Sequence, residues 1–178
     1  WHYRVLKPGK LWTQWRLPLE LYQSQPKPDL FFTPGHYSPR FSPCPTVISI
    51  MDLAFLRFPE QFRKKDLYQL VNWTKYSIKK AAHIFTISEF TKKEIVHFYQ
   101  YPEKQITVTY PGISQNHNLK RPFLRNFKNI KGEYFLYIGT LQPRKNLIQL
   151  IEAFNLAMKQ FSNETIKLLI VGRKGWFY

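Results

Sequence analysis

The sequence predicts an α/β protein with a parallel β-sheet, and three observations support this fold class. The apolar run of residues 134–138 ends at Gly139 and is typical of a short buried strand. A helical pattern of apolar residues follows, and a second apolar run, residues 166–171, ends at Gly172. A strand, a glycine loop, a helix and a strand form one β-α-β unit, in which the crossover makes the two strands parallel.

The helix of this unit is predicted from spacing. Its apolar residues share one face: Leu147, Leu150, Ile151, Phe154, Met158 and Phe161. Asn146 directly precedes them, and asparagine is a favoured N-cap residue. We therefore expect the helix to begin just after Asn146.

The loop between strand and helix carries the chemistry. Gly139 allows close approach of a ligand to the backbone, and Arg144 and Lys145 lie just before the helix N-terminus. A diphosphate at the carboxyl end of the parallel strand could accept hydrogen bonds from the free N–H groups of that terminus. The planar guanidinium and the ammonium would add two positive charges. A solvated basic loop without a ligand is the alternative.

The preceding chain predicts four more strands and three helices. The strands are residues 29–33, 46–51, 83–87 and 105–109, and the helices are residues 11–22, 60–82 and 91–99. The longest helix has an apolar face and a lysine face, which is either solvated or able to contact anionic lipid headgroups. The last helix is predicted to begin with a capping box of Thr91 and Glu94.

The helix at residues 11–22 contains Pro18, which we expect to disturb it. One side of this helix carries Trp12, Trp15, Leu19 and Tyr22. Packing of that side against the sheet is the expectation, because amphipathic helices most often cover a core. A face lying on a membrane surface is the alternative.

Two residues follow predicted strands and are candidate catalytic groups. His36 lies in the loop of residues 34–45, and Asp52 follows the strand that ends at residue 51. Ligands of open α/β sheets bind at the carboxyl ends of the strands, so both residues are placed to contact a ligand. The alternatives are a tolerated loop histidine and a turn carboxylate.

Charge and cysteine content limit the possible partners. The net charge is +16, which favours a polyanionic partner such as nucleic acid, an anionic membrane or a phosphorylated substrate, unless the excess has no specific partner. One cysteine, Cys44, excludes an internal disulfide and fits a reducing compartment. No apolar run reaches the roughly 18 residues of a membrane-spanning helix, and no cluster has metal-ligand spacing.

Residues 134–154, YFLYIGTLQPRKNLIQLIEAF, together with LLIVGRKGWFY at residues 168–178, resemble the family-four, group-1-type glycosyltransferases. The resemblance implies the GT-B fold, with two Rossmann-like domains that are both incomplete in this chain. It also implies that Lys145 holds the diphosphate of a nucleotide sugar. The family often has an arginine directly after the glycine, where this chain has Thr140, which makes Arg144 a candidate for the second basic contact.

Two further segments extend the resemblance. ISEFTKKEI, residues 87–95, is similar to the family segment in which a serine, here Ser88, lines the interdomain cleft. VTYPGIS, residues 108–114, is similar to the loop that leaves the first domain, and Gly112 there is expected to approach the donor. Ser88 has an alternative explanation as a helix N-cap.

One position departs from the family pattern. The family reads His-Asp-Leu where this chain has Met51-Asp52-Leu53, and the family histidine approaches the transferred sugar. A thioether cannot share a proton with a sugar hydroxyl. This departure leaves open a non-catalytic remnant of the enzyme.

The resemblance also predicts the domain organisation. Residues 1–114 form an acceptor-side domain that lacks its start, residues 115–132 form a basic linker, and residues 133–178 begin a donor-binding domain. We expect an internal piece of a longer enzyme. Because the family's carboxylate pair would follow Tyr178, the piece alone is expected to be almost inactive.

The predicted function is transfer of a sugar from a nucleotide-diphosphate sugar to a polysaccharide, lipid-linked or other acceptor, with retention. No metal or other cofactor is expected, because the helix dipole, Arg144 and Lys145 neutralise the leaving diphosphate. The predicted location is the cytoplasm, with peripheral binding to the inner face of the membrane. A protein that binds single-stranded nucleic acid is a further alternative, which the predicted burial of most aromatic residues disfavours.

Overall fold

The computed structural model describes residues 3, 5, 6, 12–113, 132–161 and 165–175. The chain divides into two compact units, Trp1–Ile113 and Ser114–Tyr178, and each contains its own parallel sheet. The predicted α/β fold class is therefore confirmed. The basic linker predicted at residues 115–132 lies, except for its last residue, outside the described part of the chain.

Helices and strands alternate in the first unit. Its helices are α1 Leu17–Gln23, α2 Ala54–Arg57, α3 Lys64–Lys80 and α4 Glu89–Tyr99. Its strands are β1 Phe31–Thr33, β2 Thr46–Ile50, β3 His83–Thr86 and β4 Ile106–Val108. The sheet has the order β1-β2-β3-β4 and every pair is parallel, so the carboxyl ends of all four strands meet at one edge.

The core of the first unit lies between this sheet and helices α3 and α4. The strand β2 is buried along its whole length, as a parallel strand covered on both faces should be. Its fully buried Ile48 and Ile50 belong to one cluster with Ile84 of β3, Ile78 of α3 and Ile95 of α4. This cluster fixes the sheet and therefore the loops that leave its carboxyl edge.

The segment between β1 and β2 is attached to α3. The Ser38 N–H donates to Ser77 Oγ at 2.9 Å, and the Tyr76 hydroxyl donates to the Arg40 carbonyl at 2.5 Å. Beside them, the rings of Tyr37 and Trp73 meet edge to face, with centroids 5.4 Å apart. These contacts define the path of the loop that carries His36.

The first helical segment differs from the expectation. Trp12–Arg16 form a π-helical turn that continues into α1, and Pro18 lies in the first turn of α1, where no N–H partner is needed. Leu17 and Leu21 are buried. The opposite residues, which we name the aromatic stripe, are all exposed: Trp12, Trp15, Leu19 and Tyr22. The predicted packing of this stripe against the sheet is wrong, because the helix buries its other apolar side, which carries Leu17 and Leu21.

The long helix begins later than predicted. Residues 60–82 were expected to be one helix, but the short α2 and a 3-10 turn, Pro59–Gln61, precede α3 at Lys64. Pro59 interrupts the helical hydrogen bonding there, which explains the separate turn. The predicted apolar face of α3 does pack on the core, whereas its lysines are exposed.

The second unit contains β5 Tyr134–Ile138, α5 Leu147–Gln160 and β6 Lys167–Val171. The strands β5 and β6 are parallel, and Phe154 of α5 packs on Phe135 with ring centroids 6.2 Å apart. The β-α-β prediction is confirmed, but the predicted burial of β5 is wrong. Most of its residues are exposed, because the described residues of this unit place one helix against a two-stranded sheet.

Close backbone contacts join the loop after β5 to the segment after β6. The Gly139 N–H donates to the Val171 carbonyl at 2.9 Å, and the Gly175 N–H donates to the Leu141 carbonyl at 2.8 Å. A Cβ atom added to Gly172 would lie 1.8 Å from the Gly139 carbonyl oxygen. Glycine is therefore required at position 172 for the loop to follow this path.

We expect Gly172→Ala to destabilise the second unit by about 2 kcal/mol or more, because the methyl group meets backbone that cannot rotate away. Urea unfolding, followed by exchange protection of the β5 and β6 amides, measures the loss. Gly112→Ala is the control, since nothing lies within 4 Å of its added Cβ. Equal stability of the two variants would contradict this explanation.

Candidate functional site

The first group of candidate residues surrounds Met51, the residue that follows β2. The Met51 N–H donates to His36 Nε2 at 3.1 Å. Because Nε2 accepts this bond, the imidazole is neutral and carries its proton on Nδ1. Burial lowers the pKa of His36, and the nearby Asp52 carboxylate opposes this shift only in part. His36 is thus a half-buried ring that holds the backbone at the carboxyl end of β2.

The carbonyl of Met51 is held from the other side. Thr91 Oγ1 donates to the Met51 carbonyl at 3.2 Å and lies 3.0 Å from Ser88 Oγ. Both polar groups of the Met51 backbone are therefore bound by side chains from different elements. The Met51 side chain itself is 38% exposed.

Asp52 lies in the turn before α2, whose N-cap residue is Leu53. Its Oδ1 accepts from the Ala54 N–H at 3.0 Å, which is the turn role that the sequence offered as an alternative. The carboxylate remains exposed at the edge of the sheet. The arrangement leaves it accessible to a hydroxyl group, while its orientation is fixed by the turn.

Ser88 is the N-cap of α4, because its Oγ accepts from the Thr91 N–H at 3.1 Å. The predicted capping box is wrong, since the helix begins one turn earlier and Thr91 lies inside it. Glu94 instead accepts two hydrogen bonds from the guanidinium of Arg57. That pairing lowers the pKa of Glu94 against the opposing effect of burial, and it joins α2 to α4.

The second group of candidate residues forms the loop from Gly139 to Lys145 in the other unit. Gly139 ends β5, Thr140 is exposed, and a 3-10 turn, Pro143–Lys145, precedes α5. The side chains of Arg144 and Lys145 are exposed, and neither has a hydrogen-bond or ion-pair partner among the described residues. Two cationic side chains without such partners in the described part of the chain therefore lie just before the 14-residue helix α5.

The start of α5 differs from the prediction. Asn146 occupies the N-cap position but adopts the left-handed conformation, with φ 52°, and its side chain caps no N–H group. Its amide donates to Gln149 Oε1 at 2.6 Å instead. The first-turn N–H groups, which have no intrahelical acceptor, thus lack a side-chain cap and remain available to an anion.

Three residues of this unit were missed as contributors to the site. Gln142 is only 7% exposed, and its buried Oε1 has no hydrogen-bond partner among the described residues. No sequence signal distinguishes this glutamine from a solvated loop residue. The close approach of Gly172 and Gly175 to the loop was detectable in principle, because paired glycines after a strand often mark backbone contact.

Gly112 lies exposed near the end of the first unit. Among the described residues, no three His, Cys, Asp or Glu side chains form a group that could hold a metal ion. Within the same residues, no helix combines the length and the apolar character needed to cross a bilayer.

The pKa of His36 is lowered in the folded state. As the pH falls below the ordinary histidine pKa near 6.5, the unfolded state therefore binds more protons than the folded state. We expect wild-type stability to decline as the pH falls below that value, by at most about 1.4 kcal/mol per pH unit from this group. His36→Gln retains an acceptor for the Met51 N–H but does not titrate. Urea unfolding at pH 7.5 and 5.5 should show the smaller loss in the variant, and equal losses would contradict the lowered pKa.

The chain matches two family models and is similar to curated proteins. Residues 3–117 match the model of Glycosyltransferase Family 4, and residues 120–178 match that of Glycosyl transferases group 1. The chain is 27% identical over 135 residues to O-antigen chain mannosyltransferase B of Escherichia coli, covering 73% of this chain and 35% of that protein. It is 27% identical over 126 residues to O-antigen chain mannosyltransferase RfbU of Salmonella typhimurium, covering 71% and 32%.

Each match spans about a third of the length of the curated relative. The first family model alone covers more than half of this chain. Each of the two units contains a parallel sheet, and the group 1 match covers the residues after the first match. The chain belongs to Glycosyltransferase Family 4.

Proposed function

We propose that the protein transfers a sugar from a nucleotide-diphosphate sugar to a carbohydrate acceptor, with retention and without a metal. The observation that carries this proposal is the uncapped start of α5 beside Arg144 and Lys145, at the carboxyl end of a parallel strand. That arrangement suits a diphosphate, because helix N–H groups and two cations act on the same anion. A mannose donor is the first candidate, because both relatives are named O-antigen chain mannosyltransferases.

The chemistry follows from charge. As the bond between the anomeric carbon and the phosphate oxygen breaks, negative charge accumulates on the leaving diphosphate, where Arg144 and Lys145 stabilise it. The acceptor hydroxyl oxygen bonds to the anomeric carbon, and its proton leaves with the diphosphate. In this proposal, Gly139 and Thr140 line the donor loop, whereas the donor contacts of Gly112 and Ser88 stay predictions from the family resemblance. Asp52 and His36 serve the acceptor side.

The acceptor we propose is a growing polysaccharide on a lipid carrier, and the proposed location is the cytoplasmic face of a membrane. The exposed aromatic stripe supports the membrane contact, since tryptophan and tyrosine favour the interface between lipid and water. The first 28 residues carry five Lys or Arg and one Glu, so this end of the chain is complementary to anionic headgroups.

Removing the Lys145 charge should weaken donor binding. We expect Lys145→Ala, in the protein expressed from its complete gene, to raise the donor dissociation constant at least tenfold, equivalent to about 1.4 kcal/mol. Calorimetric titration with a panel of nucleotide sugars measures this change, and release of nucleoside diphosphate identifies the donor. Lys159→Ala, in the last turn of the same helix, is the matched control.

Unchanged donor affinity in Lys145→Ala would contradict the diphosphate role of the loop. An intact protein that neither binds nor cleaves any donor would instead support a non-catalytic remnant, with Met51 in the place of the family histidine.

The membrane contact is tested separately. We expect the double variant Trp15→Ser, Leu19→Ser to bind phosphatidylglycerol vesicles about tenfold more weakly, a loss of about 1.4 kcal/mol. Flotation of the protein with vesicles measures binding, and neutral phosphatidylcholine vesicles should bind little. Tyr68→Ser is the control, because Tyr68 is similarly exposed, at 69% against 72% for Trp15.

Vesicle binding that the double variant retains would place the contact elsewhere on the protein. Salt-dependent binding to a single-stranded oligonucleotide, with no vesicle binding, would favour the nucleic-acid alternative.

A further inference from the structure

We infer that Thr91 is a positioning residue for the sugar-transfer site, an inference that rests on the proposed function. Its hydroxyl holds the Met51 carbonyl and thereby fixes Asp52 at the carboxyl end of β2. Nothing in the sequence pattern suggested this role, because Thr91 was expected only to cap a helix. We name the hydrogen bonds from Thr91 to Met51 and from Met51 to His36 the Met51 clamp.

The clamp lies directly after the last residue pair of β2 and β3. The last pair between β2 and β3 is Ile50 with Thr86, so Met51 is the first residue beyond the paired strand. Its N–H and carbonyl would otherwise have to bind water or remain unpaired. The clamp supplies one partner from the loop after β1 and one from α4, and it extends the ordered backbone by one residue.

The hydroxyl of Thr91 is not needed for the start of α4. Ser88 caps the helix through the backbone N–H of Thr91, which a valine at this position would keep. Thr91 is 3% exposed, and its Oγ1 reaches across to Met51, 40 residues away in the chain. A buried hydroxyl that bonds outside its own helix is therefore available to control the loop after β2.

The effect reaches Asp52 through one peptide. The Met51 carbonyl belongs to the peptide that joins Met51 to Asp52, so a shift of that carbonyl turns the Asp52 backbone. Among the described residues, the Asp52 carboxylate has one hydrogen-bond partner, the Ala54 N–H, and it is otherwise exposed. Loss of the Thr91 bond should thus misplace the carboxylate without removing any group that binds the donor diphosphate.

The test compares variants of matched shape in the protein expressed from its complete gene. Thr91→Val removes the hydroxyl alone, and we expect it to lower kcat about tenfold while the donor KM changes less than about twofold. Thr91→Ser restores a hydroxyl and should recover most of the kcat. Thr74→Val is the control, because Thr74 is a fully buried threonine whose hydroxyl has no partner among the described residues.

A double-mutant cycle with Asp52→Asn decides whether Thr91 acts through Asp52. If it does, Thr91→Val should lower kcat much less in the Asp52→Asn background than in the wild type. Equal effects in both backgrounds, a change confined to KM, or wild-type kcat in Thr91→Val would overturn the inference.

Hydrogen exchange gives a readout that does not depend on turnover. In Thr91→Val, amides of residues 50–54 should exchange faster while those of β3 and α4 keep their protection. Unchanged exchange at residues 50–54 would overturn the clamp. Absence of turnover with every donor would overturn the proposed transferase and the catalytic meaning of Thr91, whereas the exchange result would still decide whether the clamp exists.

Discussion

The parallel pairing of β2 with β3 is the constraint on which the candidate site of the first unit depends. Ile48 pairs with Ile84, and both belong with Ile50 to one buried cluster, so a shift of register would disrupt the packing of the core. Fixed register puts Met51 and Asp52 at the same edge as Ser88. The positions of these three residues thus follow from the apolar packing of the strands that precede them, rather than from contacts between the three residues.

The fold was predictable because its signals are periodic. The apolar faces of α3 and α5 and the glycine after β5 appear directly in the sequence, and the β-α-β unit follows from them. Burial was less predictable, because it depends on what covers a surface. Tyr134 and Phe135 look like core residues in the sequence, yet the described residues of their unit leave both exposed. Trp15 likewise lies at the surface, because its helix buries the other apolar side, with Leu17 and Leu21.

The candidate site was predictable in residue type but not in contact. The sequence indicated His36, Asp52 and Lys145 from their positions after strands, and the structure puts each of them at the carboxyl edge of its own sheet. It could not indicate that His36 binds the Met51 N–H or that Asn146 binds the side chain of Gln149 instead of capping a helix N–H group. The first contact joins residues from two different loops, and the second follows from the left-handed backbone of Asn146, so helix propensity carries no information about either.

The contact between Gly172 and the Gly139 carbonyl has a consequence for how the loop after β5 can change in sequence. Main-chain hydrogen bonds of Gly139 and Leu141 to the end of β6 and the segment after it hold the path of this loop. The side chains of Arg144 and Lys145 have no hydrogen-bond or ion-pair partner among the described residues, so they do not hold that path. Their charges can therefore be exchanged, removed or reversed on an unchanged backbone. Point substitutions at these two positions would thus change the charge of the loop without rebuilding it.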